Sequence, residues 1–564
     1  MKYLCLTLLF ALTTIVTAQL KLPTFFADNM VLQQNTSNAI WGWSEANAHV
    51  SIRTSWGEQR KVVSDKNGYW KAIVPTPSYR RGQSLIISAG TEEVEIKNVS
   101  IGEVWLCLGQ SNMGWALKNC FNTNEELKKA NVADLHIYKS DRQHWHEPRN
   151  DCATGRWRQS NSISAGNTSA VAWHFGATLQ RELGIPVGII VQAYAGTPVE
   201  GWIPWQDQED IERSQYHKQT MDDVLNRQLG KLNMSTESAM EKYKSELAEY
   251  HQRMASGDTM KSKNKRLMAP IITRPANLGN QYPAHIYNAM VHPLLGYGIK
   301  GIIWYQGERN SKTVQQAIAF KEQLNRLIDT YRKLWFEYSD GHVNDDLYFS
   351  LTQLPSWGPE QSQPVEGVES PWAVSRQIML ELQNELDNVG LAVSIDTGSP
   401  VELHPKNKKP IGLRHAYGIL HDVYKKNRVG HGPYFTSFTR NENTIVLSFD
   451  GVGNGLKSAN GEALNSFAIA GMDKRWYWAK AKIKDEKVIV SSKDVPNPVA
   501  VRYAWAMNPS QRNLLYNTEG FPASPFRTDD WGLFESDAEE ITVNKPKKPK
   551  GYVSKDWWRP AMTP

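Results

Sequence analysis

Two kinds of hydrophobic pattern divide the chain. Between about Leu20 and Ile101 apolar positions come in short alternating segments (Val50 and Ile52, Lys61-Val62-Val63, Tyr69-Trp70, Leu85-Ile86-Ile87, Val94 and Ile96), with a turn signal at Asp65-Lys66-Asn67-Gly68. Alternation buries one face of a pleated strand and wets the other, so this stretch predicts a small antiparallel β-sandwich. From about Gly102 the apolar runs become continuous, and each stops at a polar or glycine-rich loop. They are Val104 to Leu108, Val187 to Val191, Ile299 to Tyr305, Leu347 to Leu351 and Leu391 to Ile395. Continuous runs alternating with helix-compatible stretches predict parallel strands covered on both faces, hence an α/β domain. Ligands of such sheets bind beyond the carboxyl ends of the strands, which is where every polar motif of this region falls. After about Gly430 alternation returns in Thr444 to Phe449, Val488 to Val490 and Val499 to Trp505, predicting a further β-rich region.

The resulting division is 1–18 signal peptide, 19–101 N-terminal β-sandwich, 102–425 α/β catalytic domain, 426–545 C-terminal β-rich domain and 546–564 basic tail. A lysine, an apolar stretch and the small residues Thr17-Ala18 give the first segment its secretory character, so a secreted or periplasmic protein is expected. No later run has the roughly eighteen apolar residues of a membrane span. A helical insertion is expected over about 205–273, where Met240, Tyr243, Leu247, Tyr250 and Met254 follow helical spacing and Ser238 and Glu241 have capping-box spacing. It serves either as an ornament on the surface or as a wall over the substrate cleft.

Composition narrows the function. A formal charge of +6 spread over 564 residues gives no footprint for nucleic acid. Past the signal segment only Cys107, Cys120 and Cys152 remain, with no metal-type spacing; export permits a Cys120–Cys152 disulfide, while Cys107 reads as a core thiol. His144-x-His146 has no partner ligands at suitable spacing, so neither a metal nor any other cofactor is expected. Oligomeric state leaves no signal.

The chemistry centres on Gly109-Gln110-Ser111-Asn112-Met113, where a buried strand ends abruptly on a serine. A hydroxyl shown at a strand end, with backbone N–H groups beside it, is how a serine nucleophile is displayed. Met113 breaks the Gly-x-Ser-x-Gly elbow of the α/β-hydrolases. The base is His404, stiffened by Pro405, and the acid is either Glu402, nearest in sequence, or Asp396, at the end of a strand. The oxyanion donors expected are the N–H groups of Ser111 and Gly196 and the side-chain amide of Gln306. Trp115, Trp202, Glu308 and Asn310 are expected to touch substrate, the tryptophans because flat aromatic faces suit sugar rings.

Three of these segments, Gly109 to Met113, Trp304-Tyr305-Gln306-Gly307-Glu308-Arg309-Asn310 and Leu403-His404-Pro405-Lys406-Asn407-Lys408, resemble the sialate O-acetylesterase family of SGNH-type hydrolases. The likeness extends from Asn29-Met30-Val31-Leu32-Gln33 to Phe521 through Trp531. It implies a flavodoxin-like catalytic domain between β-rich flanks and metal-independent removal of O-acetyl groups from sugars, with Ser111 as nucleophile, His404 as base and Gly196 and Gln306 as oxyanion donors. Ala195, Gly114 and Glu402 depart from the pattern, Glu402 standing where many relatives carry aspartate. Acetylated sialic acids and plant polysaccharides such as xylan or xyloglucan are both substrates of such relatives. The competing class is a catalytically silent glycan-binding protein, which would bind acetylated glycans without releasing acetate.

Overall fold

A computed structural model describes residues 19–231, 235–256, 260–262, 265–266, 279–364, 369–510 and 512–533. The expected signal segment and basic tail lie outside them, as does part of the insertion. The chain is mixed α/β, with a central, mostly parallel sheet and additional β-rich regions. The strands of the central sheet are β1 (Glu92–Gly109), β2 (Val132–Lys139), β3 (Arg156–Ser160), β4 (Val187–Ala193), β5 (Gly301–Tyr305), β6 (Tyr348–Thr352) and β7 (Val389–Ala392). Their spatial order is β7-β6-β5-β1-β4-β2-β3, parallel except for the edge strand β3.

The continuous apolar runs acquire their meaning here. Along β1, Trp105 and Cys107 face one side with Ile189, Val191 and Ile303, under the helices Ala170–Leu183 and Lys409–Asp422. Val104, Leu106 and Leu108 face the other side with Ile302 and Trp304, under Val314–Tyr338 and Pro371–Glu385. Both faces are dry, so no position on the strand needs to be polar.

The expected break near residue 101 falls inside β1, one unbroken 18-residue strand. Its first half pairs antiparallel with Arg80–Ala89 of the N-terminal β-rich region, and its second half lies between β4 and β5. Gly102 marks the passage, since a Cβ there would lie 2.0 Å from the Pro186 carbonyl oxygen. β2 and β3 have no counterpart in the sequence reading, because their apolar residues neither alternate cleanly nor form a run.

The insertion region contains two helices, Glu212–Lys231 and Thr236–Ala255. The second begins a turn earlier than expected. Ser235 and Ser238 cap it reciprocally, each backbone N–H donating to the other's hydroxyl, so Ser238 is the inner partner of the box and not its opening residue. Tyr243 packs against Trp145 and His146. The C-terminal region is β-rich as predicted, with Tyr434–Asn441, Thr444–Asp450, Lys480–Lys484 and Lys487–Ser491 in one antiparallel sheet. Cys107, Cys120 and Cys152 are all free thiols, so the disulfide that export permits is not formed. No helix among the described residues is long and apolar enough to cross a membrane.

Candidate active site

After β1 the chain builds β2, β3 and β4 on one side and then crosses to β5 on the other. In open sheets such a switch in strand order marks the ligand-binding end, here the carboxyl ends of β1 and β5. The register makes this end level, with Gly109 paired to both Ala193 and Tyr305, so the three following loops start side by side. Backbone bonds tie them, Gln110 N–H donating to Tyr305 O and Tyr194 N–H to Gly109 O. Gly109 has φ +147, and a Cβ would lie 2.1 Å from the Tyr305 carbonyl, so the turn into Ser111 requires glycine.

Ser111 stands at the rim, half-buried, with its Oγ 2.8 Å from His404 Nε2. The indole of Trp115 stacks on the His404 ring, centroids 5.1 Å apart and planes 14° from parallel. Among the described residues the backbone N–H groups of Ser111 and Gly196 donate to no protein acceptor. Gly196 has φ +72 with open space where a side chain would stand. Its loop is held from the insertion side, where Asn280 donates to Ala195 O and Gln281 to Gly196 O. His217 and Asp222 of the helix Glu212–Lys231 anchor Gln281 and Tyr282 in turn.

The other residues singled out from the sequence take places set by burial. Gln306 is fully buried, and its Nε2 donates to Thr197 O at 3.2 Å and Asn310 Oδ1 at 2.7 Å. Both amide hydrogens are thereby engaged, so Gln306 braces the Gly196-Thr197 turn instead of offering a donor to the rim. Asn310 accepts from Val199 N–H and donates to the buried Glu200 carboxylate. Trp202 is 0% exposed, bonded to Thr197 Oγ1 and packed edge-on against Trp304. A sugar cannot reach its face, and the expected substrate contact is corrected to a core role. Glu308 is also buried and bonds Asn112, which replaces its expected substrate contact. Of the four residues expected on the substrate, Trp115 alone keeps ring surface beside His404.

The two acids considered for the histidine differ. Asp396 is buried and chelated by Arg414, at 2.6 and 2.7 Å, with Tyr516 donating to the same carboxylate at 2.9 Å. Glu402 shares the His404 loop and lies 3.8 Å from Lys406, its backbone N–H held by Ser399 Oγ.

Sequence reading gave no role to Lys408 or Asn112 beyond their motifs, and none to Glu200. Burial pushes the Glu308 carboxyl above its ordinary range, opposed by the hydrogen bond from Asn112, and pushes the Lys408 ammonium down to about 8. A lysine at the start of a helix in a Lys-rich stretch reads as solvated, so the pattern carries no signal for its burial.

Residues 272–336 match the family model described as carbohydrate esterase, sialic acid-specific acetylesterase. A sialate O-acetylesterase from Rattus norvegicus is 26% identical over 537 residues, spanning 89% of this chain and 93% of its own. The Homo sapiens sialate O-acetylesterase is 23% identical over 546 residues, spanning 90% and 92%. The crystal structure of a carbohydrate acetylesterase from Xanthomonas citri superposes with TM-score 0.73 at 30% identity, covering 91% of this chain and all of that one (100%). The chain belongs to this family of carbohydrate esterases.

Proposed function

We propose that the protein removes O-acetyl groups from carbohydrates through an acetyl-Ser111 intermediate, in a flavodoxin-like SGNH domain flanked by β-rich regions at about 19–101 and 426–545. The observation that carries this reading is the 2.8 Å contact of Ser111 Oγ with His404 Nε2, made across 293 positions of sequence. His404 accepts the serine proton as Oγ attacks the acetyl carbonyl. Charge developing on the carbonyl oxygen meets the uncommitted N–H groups of Ser111 and Gly196, with Gln306 and Thr197 holding the second of them in place. Collapse expels the sugar hydroxyl, which takes its proton from His404, and a water deprotonated by the same imidazole then releases acetate. Glu402 is the acid that orients the ring, since the Asp396 carboxylate is turned to Arg414 and Tyr516. Trp115, stacked on His404, supplies an aromatic wall for the sugar.

The site is secreted or periplasmic in this reading, and it needs no metal. Sialate O-acetylesterase relatives favour acetylated sialic acid as substrate, with acetylated xylan or xyloglucan as the alternative. Acetate release from all three, measured side by side on wild type and Ser111→Ala, tests the reading. Release by wild type alone supports it, whereas binding of the glycans without release by either protein would mark a silent glycan-binding protein.

A further inference from the structure

Behind the nucleophile a carboxylate, an amide and an ammonium stand in line. Asn112 follows Ser111 directly and is 0% exposed. Its Oδ1 accepts from Lys408 Nζ at 2.5 Å, while its Nδ2 donates to Glu308 Oε1 at 2.5 Å and to Leu403 O at 3.2 Å. The negative end of the amide therefore meets a cation and the positive end an anion. Both of those hydrogen bonds are charge-assisted, and rotating the amide by half a turn would set donor against donor at Lys408 and acceptor against acceptor at Glu308. Glu308 and Lys408 belong to different elements, the loop after β5 and the entrance to the helix Lys409–Asp422. Leu403 immediately precedes His404. One amide thus joins the loop that carries the serine to the loop that carries the histidine.

We propose that Glu308 and Lys408 are positioning residues, which hold Ser111 and His404 in register by clamping Asn112 between opposite charges. The proposal rests on the Ser111–His404 reading above. It explains why an acidic and a basic side chain occupy a dry corner where apolar side chains would be less costly, since a buried pair is weak evidence for stability but sets a unique geometry. The groups facing Lys408 are Glu308, the Cys120 thiol and the Tyr305 ring beneath it at 5.3 Å, with Lys406 of its own loop also acting on Cys120.

The test uses the full chain, with Lys408→Met, Glu308→Gln and the double variant compared on 4-nitrophenyl acetate from pH 6.5 to 9.5. Labelling of Ser111 by a fluorophosphonate is followed in parallel. Each single change lowers kcat roughly ten- to hundredfold with KM little altered, the loss expected of a misplaced reacting group. The double variant falls no further than the worse single one, because both act on one amide. Wild-type kcat declines as pH rises through about 8, where Lys408 loses its proton, and that limb is absent from Lys408→Met. Glu308→Gln keeps size and an acceptor oxygen, so it reports even where the methionine variant folds poorly. Wild-type kcat in the Gln variant, multiplicative losses in the double, or an alkaline limb that survives in Lys408→Met would overturn the clamp while Ser111 labelling stands. An unlabelled Ser111 together with an active Ser111→Ala would instead remove the underlying reading, and the clamp with it.

Discussion

The segment that carries His404 holds two carboxylates with opposite circumstances. Asp396 is enclosed, both oxygens on a guanidinium and one also on a tyrosine hydroxyl from the C-terminal β-rich region. Glu402 sits near the rim with a longer ion pair to Lys406, its side chain 13% exposed. A carboxylate saturated by Arg and Tyr has spent its lone pairs on packing, and its charge closes the seam between the central sheet and Tyr516. In the proposed mechanism a carboxylate two residues from the histidine, on the same loop, is the one placed to answer a change of charge on imidazole. Proximity to a strand end, which made Asp396 attractive from sequence, is a weaker guide than the identity of its partner.

Substitutions at these positions test the contrast. The scale is set by Ser111→Ala, which lowers acetate release by about a thousandfold or more, measured under conditions where wild type turns over. Asp396→Asn leaves Arg414 uncompensated in the interior and costs about 3–5 kcal/mol of stability, read as a lower urea midpoint, while the fraction that remains folded turns over normally. Glu402→Gln reverses the pattern, with kcat down by about a hundredfold and the unfolding midpoint nearly unchanged, because the proposed triad would lose the charge that favours imidazolium. Were the two variants to exchange phenotypes, Asp396 would be the catalytic acid.

A subtler effect comes from Lys408. Its folded-state pKa is lowered to about 8 by burial, below the unfolded value of about 10.4, so between those pH values the folded chain binds fewer protons than the unfolded one. Wild-type stability, relative to Lys408→Met, therefore rises across that window, by about 3 kcal/mol, while kcat falls. Opposite signs for stability and rate separate a positioning charge from a merely structural one. The smallest change is Trp115→Ala, where loss of the stack on His404 costs about 1 kcal/mol, a few-fold in kcat/KM on an acetylated sugar.

Much of this was legible in sequence because it is written in local pattern. Runs such as Val104 to Leu108 identify dry strands, and the polar residues that end them identify the rim. The expectations for Ser111 and His404 rest on that logic, and the structure brings their side chains within 2.8 Å. The roles of Gln306, Asn310 and Trp202 do not, because a strand-end amide and a loop indole look the same in sequence whether they face a ligand or a neighbour. Only the packing shows that Thr197 and Glu200 claim their polar atoms. Asp396 hides its role for a related reason, since Arg414 and Tyr516 come from a helix and from a β-rich region far along the chain. Likewise β2 and β3 escape a reading based on periodicity because sheet position, not pattern, decides their burial.

The length of β1 has a mechanical consequence. Because the strand that leads to Ser111 starts in the N-terminal β-rich region, the front of the molecule and the proposed catalytic rim share a single backbone rod. Shearing the two apart must break hydrogen bonds along that rod rather than bend a linker, so a single melting transition for both is the expected outcome in calorimetry. A truncation that begins at residue 102 exposes an apolar sheet end at Val104 and loosens the strand whose other end aims the serine, making the front region a foundation and not a removable module.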